Sequence, residues 1–366
     1  KYSFYQILLY DREEKGKIYD VVDNRDLFQR GLGPIALEIT SKNRVKKMVQ
    51  AYRDAFHRLQ KNPNAKFAAG TAGATILRLW GRQSSARWAK LAGNLRTQPG
   101  QRDRVMQGLM NADRFIPAME SIFRKYDIPH EITRITLVES SFNLNAVSKA
   151  DAVGVWQFLE RSAREYIKVD HKNKIDERLS PIKTTYAAAK MLKRNYKLLK
   201  DWSLAIIAYN HGAKNLIPIR DRYQGQKIVK LLSSTKDSPL GYASKNYYAE
   251  FLAMVHAEAY RDELYGFKRD LHHDAISIVT MKRPASIFEI ASHYNISVYE
   301  LRIYNPDIFD VKRKLPKGTR IVLPRKVGET FVRAPQIDPE RKAPSVGPDD
   351  DGRGIASEVE TIQYIK

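Results

Sequence analysis

The position of one glutamate in the sequence suits a carboxylic acid that donates a proton. Glu139 follows the apolar residues Ile135, Leu137 and Val138, so we expect its carboxyl group at the edge of a buried helical face. A carboxyl group that is partly withdrawn from water has a raised pKa, and it can then donate a proton near neutral pH. Taken alone, a glutamate in such a position is more often a surface charge at the end of a helix.

Three short motifs in a fixed order give this glutamate a context. They are residues 138–142 (VESSF), 154–158 (GVWQF) and 208–212 (AYNHG). The small residues of segment 146–154 suit a close approach of backbone to a ligand. Any one of the motifs would be weak evidence of function, whereas all three in this order are specific.

These motifs resemble those of the lysozyme-like lytic transglycosylases, and among them the membrane-bound lytic transglycosylase D group. Residues 176–178 (DER) and 185–190 (TYAAAK) are similar to that group as well, and the resemblance covers about residues 101–261. It implies a mainly α fold whose catalytic core is lysozyme-like (α+β class). It also implies that the partner is the glycan strand of peptidoglycan.

The resemblance implies that Glu139 is the catalytic residue, acting first as acid and then as base. It would protonate the glycosidic oxygen between N-acetylmuramic acid and N-acetylglucosamine. It would then take the proton of the muramyl C6 hydroxyl, which closes a 1,6-anhydro ring. A hydrolysing lysozyme usually pairs its acid with a second carboxylate, and the segment after Glu139 offers only Asp151 near the loop. A single-carboxylate mechanism therefore fits better, because the internal hydroxyl supplies high effective concentration without water.

Five substrate-binding residues follow from the same resemblance. Ser148 would bond the acid or the substrate, and Gln157 would orient the sugar amide groups. Tyr209 and Asn210 would line the cleft, with the tyrosine close to the acid. Tyr247 falls where the family often has a tyrosine that faces the acid. The alternatives are structural: Ser148 could cap a turn, Gln157 could bond loop backbone and Tyr209 could be core.

Departures from the family pattern occur near these residues. His211 replaces a residue that is commonly small in the family, and residues 244–246 (SKN) differ from the usual form ahead of Tyr247. Trp156 is interpreted as a buried anchor and not as a ring that stacks on sugar.

Composition excludes several classes of site. The chain has no cysteine, which excludes disulfides, thiolate metal sites and a cysteine nucleophile. His272 and His273 lack a third ligand at useful spacing, and no phosphate-binding loop is present, so we expect neither metal nor cofactor. The net charge of +22 indicates a polyanionic neighbour. No nucleic-acid-binding signature accompanies it, so an acidic cell-wall polymer or an anionic membrane surface is favoured over nucleic acid.

The location is predicted from the ends and the apolar runs of the chain. The longest strongly apolar stretch, 204–209, is far shorter than the ~20 residues of a spanning helix. The chain begins at Lys1 without a methionine, so we expect a processed or trimmed amino terminus; an export signal is not visible in this sequence and could have been in the missing piece. We expect a monomer in the periplasm or cell envelope of a bacterium, or a secreted one.

The segments that must position the site are predicted from periodicity. Residues 1–100 are expected to be a helical extension with an irregular entry up to about residue 40. Residues 101–262 are the catalytic domain, and residues 328–366 a mobile or loosely docked tail. Helical spacing of apolar residues predicts helices at 42–60, 72–88, 158–167, 180–199, 202–209 and 242–261.

A separate β-α-α-β unit is predicted between residues 275 and 327. It resembles a LysM module, a domain that binds glycans containing N-acetylglucosamine. Residues 283–286 (RPAS) stand where the family usually has Gly-Asp-Thr before the first helix. The unit could therefore bind glycan or pack on the catalytic domain.

The function predicted from these features is that of a lytic transglycosylase that cleaves the β-1,4 bond of peptidoglycan. One alternative is a hydrolytic muramidase acting on the same bond. The other is a non-catalytic cell-wall-binding protein. The argument against it is the joint presence of four residues, Glu139, Gln157, Tyr209 and Asn210.

Overall fold

Helices make up most of the fold, as the sequence predicts. The structure, a computed structural model, describes residues 1–14, 16–222, 228, 240–269 and 275–324 and the strand at 356–362. The chain divides into two compact units, residues 1–106 and 107–366.

The first unit contains a sheet, whereas only a helical extension was expected there. Strands β1 (Gln6–Asp11), β2 (Ile18–Asp23) and β3 (Leu95–Pro99) pair antiparallel in the order β2-β1-β3. The expectation of an irregular entry is therefore wrong at both early strands. The prediction failed because β1 pairs with a strand that lies more than 80 residues further along the chain, and such a long-range pairing leaves no local pattern.

Four helices complete the first unit: α1 (Arg25–Gln29), α2 (Pro34–Lys61), α3 (Ala72–Trp80) and α4 (Ser85–Gly93). Helix α2 begins earlier than predicted, with a proline in its first turn, where the missing N–H costs nothing. The helix predicted over 72–88 is two helices. The first stops at Gly81, whose φ of 65° is left-handed, and the second starts where Ser84 accepts a hydrogen bond from the Arg87 N–H.

The helical part of the second unit carries the motifs. Its helices are α5 (Arg102–Asp113, which begins just before the division), α6 (Ile116–Lys125), α7 (Ile135–Ser140), α8 (Glu160–Ala163), α9 (Pro181–Leu199), α10 (Trp202–His211), α11 (Ala213–Arg222), α12 (Tyr242–Ala259) and α13 (Arg261–Tyr265). Short 3-10 helices occupy His130–Arg134 and Glu177–Leu179, and β4 (Val169–Asp170) pairs with β5 (Ile175–Asp176). Helix α9 packs against α6, α10 and α11, and α12 packs against α7 and α10.

The last described part is the β-α-α-β unit, with β6 (Ile276–Met281), α14 (Ile287–His293), α15 (Val298–Tyr304) and β7 (Arg320–Leu323). Strand β8 (Ala356–Ile362) pairs antiparallel with the other side of β6, which gives the order β7-β6-β8. This strand lies within the tail at residues 328–366, for which a mobile or loosely docked segment stays a prediction. The rest of the segment after residue 324 lies outside the described residues.

Candidate active site

Glu139 lies in the last turn of α7, where the buried side of the helix meets the surface. Ile135 and Leu137 are buried, and Glu139 itself is half-buried. The helix ends in two successive left-handed residues, Ser141 (φ 49°) and Phe142 (φ 50°). Residues other than glycine adopt this backbone conformation only where packing imposes it. The packing here is that of Phe142, which is fully buried.

The acid is held by a tyrosine from α12. The hydroxyl of Tyr247, a buried residue, donates a hydrogen bond of 2.5 Å to Glu139 Oε1. Burial raises the pKa of Glu139, the bond from Tyr247 lowers it and the nearby Glu250 carboxylate raises it, with a raised pKa as the result. The raised pKa that the sequence predicted is thus confirmed, and burial is its main cause.

A buried ion network fixes α7 relative to α12. Arg134, which directly precedes α7, donates through Nε and Nη2 to Glu258 Oε2 at 2.9 and 2.7 Å, and it also pairs with Glu120 of α6. Arg134 is 5% exposed, so the bonds act with little competition from water. Since Glu258 and Tyr247 share one helix, the network sets the position of that helix against the segment that carries Glu139.

The loop between the first two motifs is fastened to the end of α7. Ser140 Oγ donates to the carbonyl oxygens of Thr136 at 3.1 Å and Val155 at 3.2 Å. Gly154 has a φ of +77°, and a Cβ atom there would lie 2.1 Å from the Arg178 carbonyl oxygen. Only glycine fits this position, because it tolerates both the left-handed backbone and the close approach.

Ser148 and Gln157 make hydrogen bonds within this loop. Ser148 Oγ accepts from the backbone N–H groups of Ala150 at 3.2 Å and Ala152 at 3.0 Å. Gln157 Nε2 donates to the carbonyl oxygens of Gly154 at 2.9 Å and Ala146 at 3.4 Å. These are the structural alternatives that the sequence left open for both residues, and they shape the loop.

The third motif places its tyrosine near the acid. Tyr209 donates to the Trp156 carbonyl oxygen at 2.7 Å, and burial and the charge of Glu139 raise its pKa well above the usual value. Asn210 is exposed at the end of α10. His211 Nδ1 lies 2.9 Å from Ser244 Oγ. Trp156 is fully buried, as predicted, and its indole N–H donates to Thr185 Oγ1 at 3.0 Å.

The structure thus brings Glu139, Tyr247 and Tyr209 together, with the loop of Ser148 and Gln157 fastened to the same helix end. Sequence reasoning missed Glu250, whose charge acts on Glu139. A signal was present, since Glu250 follows Tyr247 by three residues and that spacing puts two side chains on one helical face.

Neither a metal centre nor a spanning helix is found in the described part of the chain. No group of three His, Asp or Glu side chains there could hold a metal ion. His272 and His273 lie outside the described residues. Of the helices described, none combines the length and the apolar character that crossing a membrane requires.

The segment that carries Glu139, Gln157 and Tyr209 is similar to a known protein domain. Residues 118–231 match the model of the transglycosylase SLT domain, a range that includes Glu139, Gln157 and Tyr209. The chain is 27% identical over 191 residues to the membrane-bound lytic murein transglycosylase D of Escherichia coli (strain K12), which covers 50% of this chain and 40% of that protein. The same protein of Escherichia coli O6:H1 (strain CFT073) matches equally.

The chain spans about two fifths of the length of these curated relatives. Within that span, residues 118–231 are matched by the transglycosylase SLT domain, and half of the chain is similar to a lytic murein transglycosylase.

Proposed function

We propose that this chain is a peptidoglycan lytic transglycosylase. It cleaves the β-1,4 bond between N-acetylmuramic acid and N-acetylglucosamine and leaves 1,6-anhydromuramic acid ends. The observation that carries the proposal is the half-buried carboxyl group of Glu139, whose pKa is raised and whose Oε1 accepts the Tyr247 hydroxyl at 2.5 Å. The match to the transglycosylase SLT domain and the similarity to lytic murein transglycosylase D support it.

Glu139 serves as acid and base in turn. Its raised pKa favours the protonated form, and this proton goes to the glycosidic oxygen as the bond to C1 breaks. The carboxylate that results accepts the proton of the C6 hydroxyl while the C6 oxygen bonds to C1. The hydroxyl of Tyr247 donates to the carboxylate and holds it in one orientation during the exchange.

The other predicted residues hold the glycan. Tyr209 and Asn210 at the end of α10 line the cleft, and the loop shaped by Ser148 and Gln157 lies against the sugar amide groups. Tight bonds within this loop support the proposal, because a preformed loop loses little entropy when substrate binds.

The remaining proposals concern context. We place the chain in the bacterial cell envelope, a location supported by its similarity to a membrane-bound lytic murein transglycosylase. It acts there as a monomer without metal or cofactor. The β-α-α-β unit at residues 275–327 is proposed as a LysM-like module.

A hydrolytic muramidase is the second candidate, and one observation favours it. Glu250 supplies a second carboxylate close enough to Glu139 to raise its pKa, and hydrolysing glycosidases use two carboxylates. The two candidates differ in the ends that they leave on the glycan.

Mass spectrometry of the fragments released from purified sacculi tests the proposal. The intact chain should release fragments with 1,6-anhydromuramic acid ends, and Glu139→Gln should release at least about 100-fold fewer, the usual share of a general acid. Glu263→Gln, an exposed glutamate of α13, is the control and should match the intact chain.

Two outcomes would contradict the transglycosylase. Reducing ends would identify a hydrolase, and Glu250→Gln and Asp151→Asn would then show which of these carboxylates positions the water. No fragments from N-acetylated and de-N-acetylated sacculi alike would favour a protein that binds the wall without cleaving it.

A further inference from the structure

A groove of about 440 Å³ lies between helix α2 and the sheet of the first unit. One wall is the face of α2 that carries the exposed cations Lys46 and Arg53, and the other wall includes the exposed Thr97 of β3. The half-buried side chains of Val45 and Val49 line it between them. The groove therefore combines positive charge, an apolar floor and one edge of a sheet.

The two cations are spaced along one side of the helix. Lys46 and Arg53 are seven residues apart, which is almost two full turns, so they lie on the same face and about 10 Å apart along the axis. Three residues of an extended chain span about the same distance. The pair therefore matches two carboxylates that are about three residues apart on an extended ligand.

Helix α2 offers these cations no counter-charge. Its two carboxylates are engaged, since Glu38 pairs with Lys42 at 2.5 Å and Asp54 accepts a hydrogen bond of 2.8 Å from a glutamine four residues before it. Lys46 and Arg53 form neither an ion pair nor a hydrogen bond with any residue that the structure describes. Their charge is complementary to an anion from outside the chain.

Strand β3 favours a peptide as the source of that anion. It is the last strand in the order β2-β1-β3, and no other strand in the described part of the chain pairs with its outer edge. The edge of a sheet presents N–H and C=O groups that pair with an extended peptide. The headgroup of a lipid has no backbone to pair with such an edge, so it would use the cations alone.

We propose that this groove binds the carboxylate-bearing stem peptides of peptidoglycan. The peptide lies extended beside β3, its carboxylates contact Lys46 and Arg53, and its apolar parts contact Val45 and Val49. The inference rests on the proposed function and extends it. One unit cleaves the glycan, and the other holds the peptides that the same polymer carries.

The test is a titration of the whole chain with a synthetic stem tetrapeptide. This probe has no glycosidic bond, so its binding does not depend on cleavage. The methyl signals of Val45 and Val49, assigned with Val45→Ile and Val49→Ile, should shift when the peptide is added. Lys46→Gln combined with Arg53→Gln should weaken binding about fivefold, as expected for two exposed ion pairs. The same peptide with amidated carboxylates should bind the wild-type chain as weakly.

A second double variant separates the groove from the net charge. Lys47→Gln combined with Lys61→Gln removes the same charge from α2 at exposed positions that do not line the groove. It should bind the tetrapeptide as the wild type does. Equal losses in the two double variants would mean that the helix attracts anions without a site, and the proposal would be wrong.

Strand β3 provides a matched pair of single variants. Side chains alternate between the two faces of a strand, so Thr97 lines the groove and the exposed Gln98 does not. Thr97→Glu places a negative charge beside the peptide and should weaken binding, whereas Gln98→Glu should leave it unchanged. Thermal unfolding of both variants checks that the fold is kept. Binding that Thr97→Glu leaves unchanged would contradict the proposed path of the peptide.

Vesicles that contain phosphatidylglycerol test the other source of negative charge. Lys46→Gln combined with Arg53→Gln should lower binding of the tetrapeptide and affect binding to vesicles no more than Lys47→Gln combined with Lys61→Gln does. If vesicle binding falls in the first double variant alone and peptide binding does not, a membrane surface occupies the groove and the proposal is overturned.

The groove and the enzyme can fail separately. A chain that binds the tetrapeptide through Lys46 and Arg53 but releases no fragments from sacculi would keep the groove and overturn the enzyme. Fragments with anhydro ends from a chain that binds no tetrapeptide would keep the enzyme and overturn the groove.

Discussion

The carboxyl group of Glu139 is poorly placed for stability when it is ionised. Burial and Glu250 disfavour its charge and raise its pKa. The folded chain therefore binds this proton more tightly than the unfolded chain does. The stability that Glu139 contributes is fully present below its ordinary pKa and is lost as pH rises through the raised value.

Glu139→Gln should accordingly stabilise the fold at neutral pH while it removes activity. Glutamine carries no charge to bury, and its side-chain oxygen can still accept the bond from Tyr247. We expect the unfolding temperature to rise by about 2 °C at pH 7, with no gain near pH 4, measured by thermal denaturation at both values. Glu263→Gln should show no such difference, and a less stable Glu139→Gln at pH 7 would contradict the argument.

At the scale of elements, the β-α-α-β unit is joined to the helical part by buried contacts. Ile175 of β5 belongs to the hydrophobic core of that unit, and the Asp176 N–H donates to the Asp307 carbonyl oxygen at 2.9 Å. Lys183 of α9 donates to Asp307 Oδ2 at 2.6 Å, and neither residue is exposed. Of the two outcomes that the sequence left open for this unit, packing is the one observed, here on the helical part of the chain, and glycan binding stays a prediction.

Removing one partner of the buried Lys183–Asp307 pair should destabilise the fold strongly. Lys183→Met leaves Asp307 without a counter-charge, and its Oδ1 already lacks a hydrogen-bond partner among the described residues. We expect a loss of about 3–5 kcal/mol in the free energy of unfolding, measured with urea. The loss should shrink as pH falls, because a protonated Asp307 no longer needs the lysine.

Lys90 provides the matched control. Its ion pair with Glu13 is 2.9 Å long but exposed, so Lys90→Met should cost less than about 1 kcal/mol. Equal losses in the two variants would mean that the buried pair is not what joins the unit to the helical part.

On the scale of the whole molecule, charge is concentrated at one end of the chain. The first 106 residues contain 21 lysines and arginines and nine aspartates and glutamates, which accounts for more than half of the net charge of +22. Such an excess attracts anionic polymers over distances comparable to the Debye length.

Binding to isolated sacculi should therefore depend on salt. Co-sedimentation of Glu139→Gln, which does not digest its target, should fall several-fold between about 0.05 M and about 0.5 M sodium chloride. Binding that is independent of salt would mean that uncharged contacts dominate, and variants of the β-α-α-β unit would then test whether those contacts lie there.

Local patterns predicted much of the helical architecture. The spacing of apolar residues located α9, α10 and α12 to within a few residues, and it placed Glu139 at the edge of a buried face. These features depend on residues three or four apart, so they are visible in any short window. The sheet of the first unit is not visible in a short window, because β1 and β3 are distant in the chain and each strand is short.

The sequence by itself determined the candidate acid, its apolar surroundings and the order of the motifs, since each of these depends on neighbouring residues. Only the tertiary structure decided which charge faces Glu139 and what Lys183 pairs with. Both partners lie more than 100 residues away, Glu250 from Glu139 and Asp307 from Lys183. The energy of such pairs depends on distance and burial, and these exist only once the helices have packed.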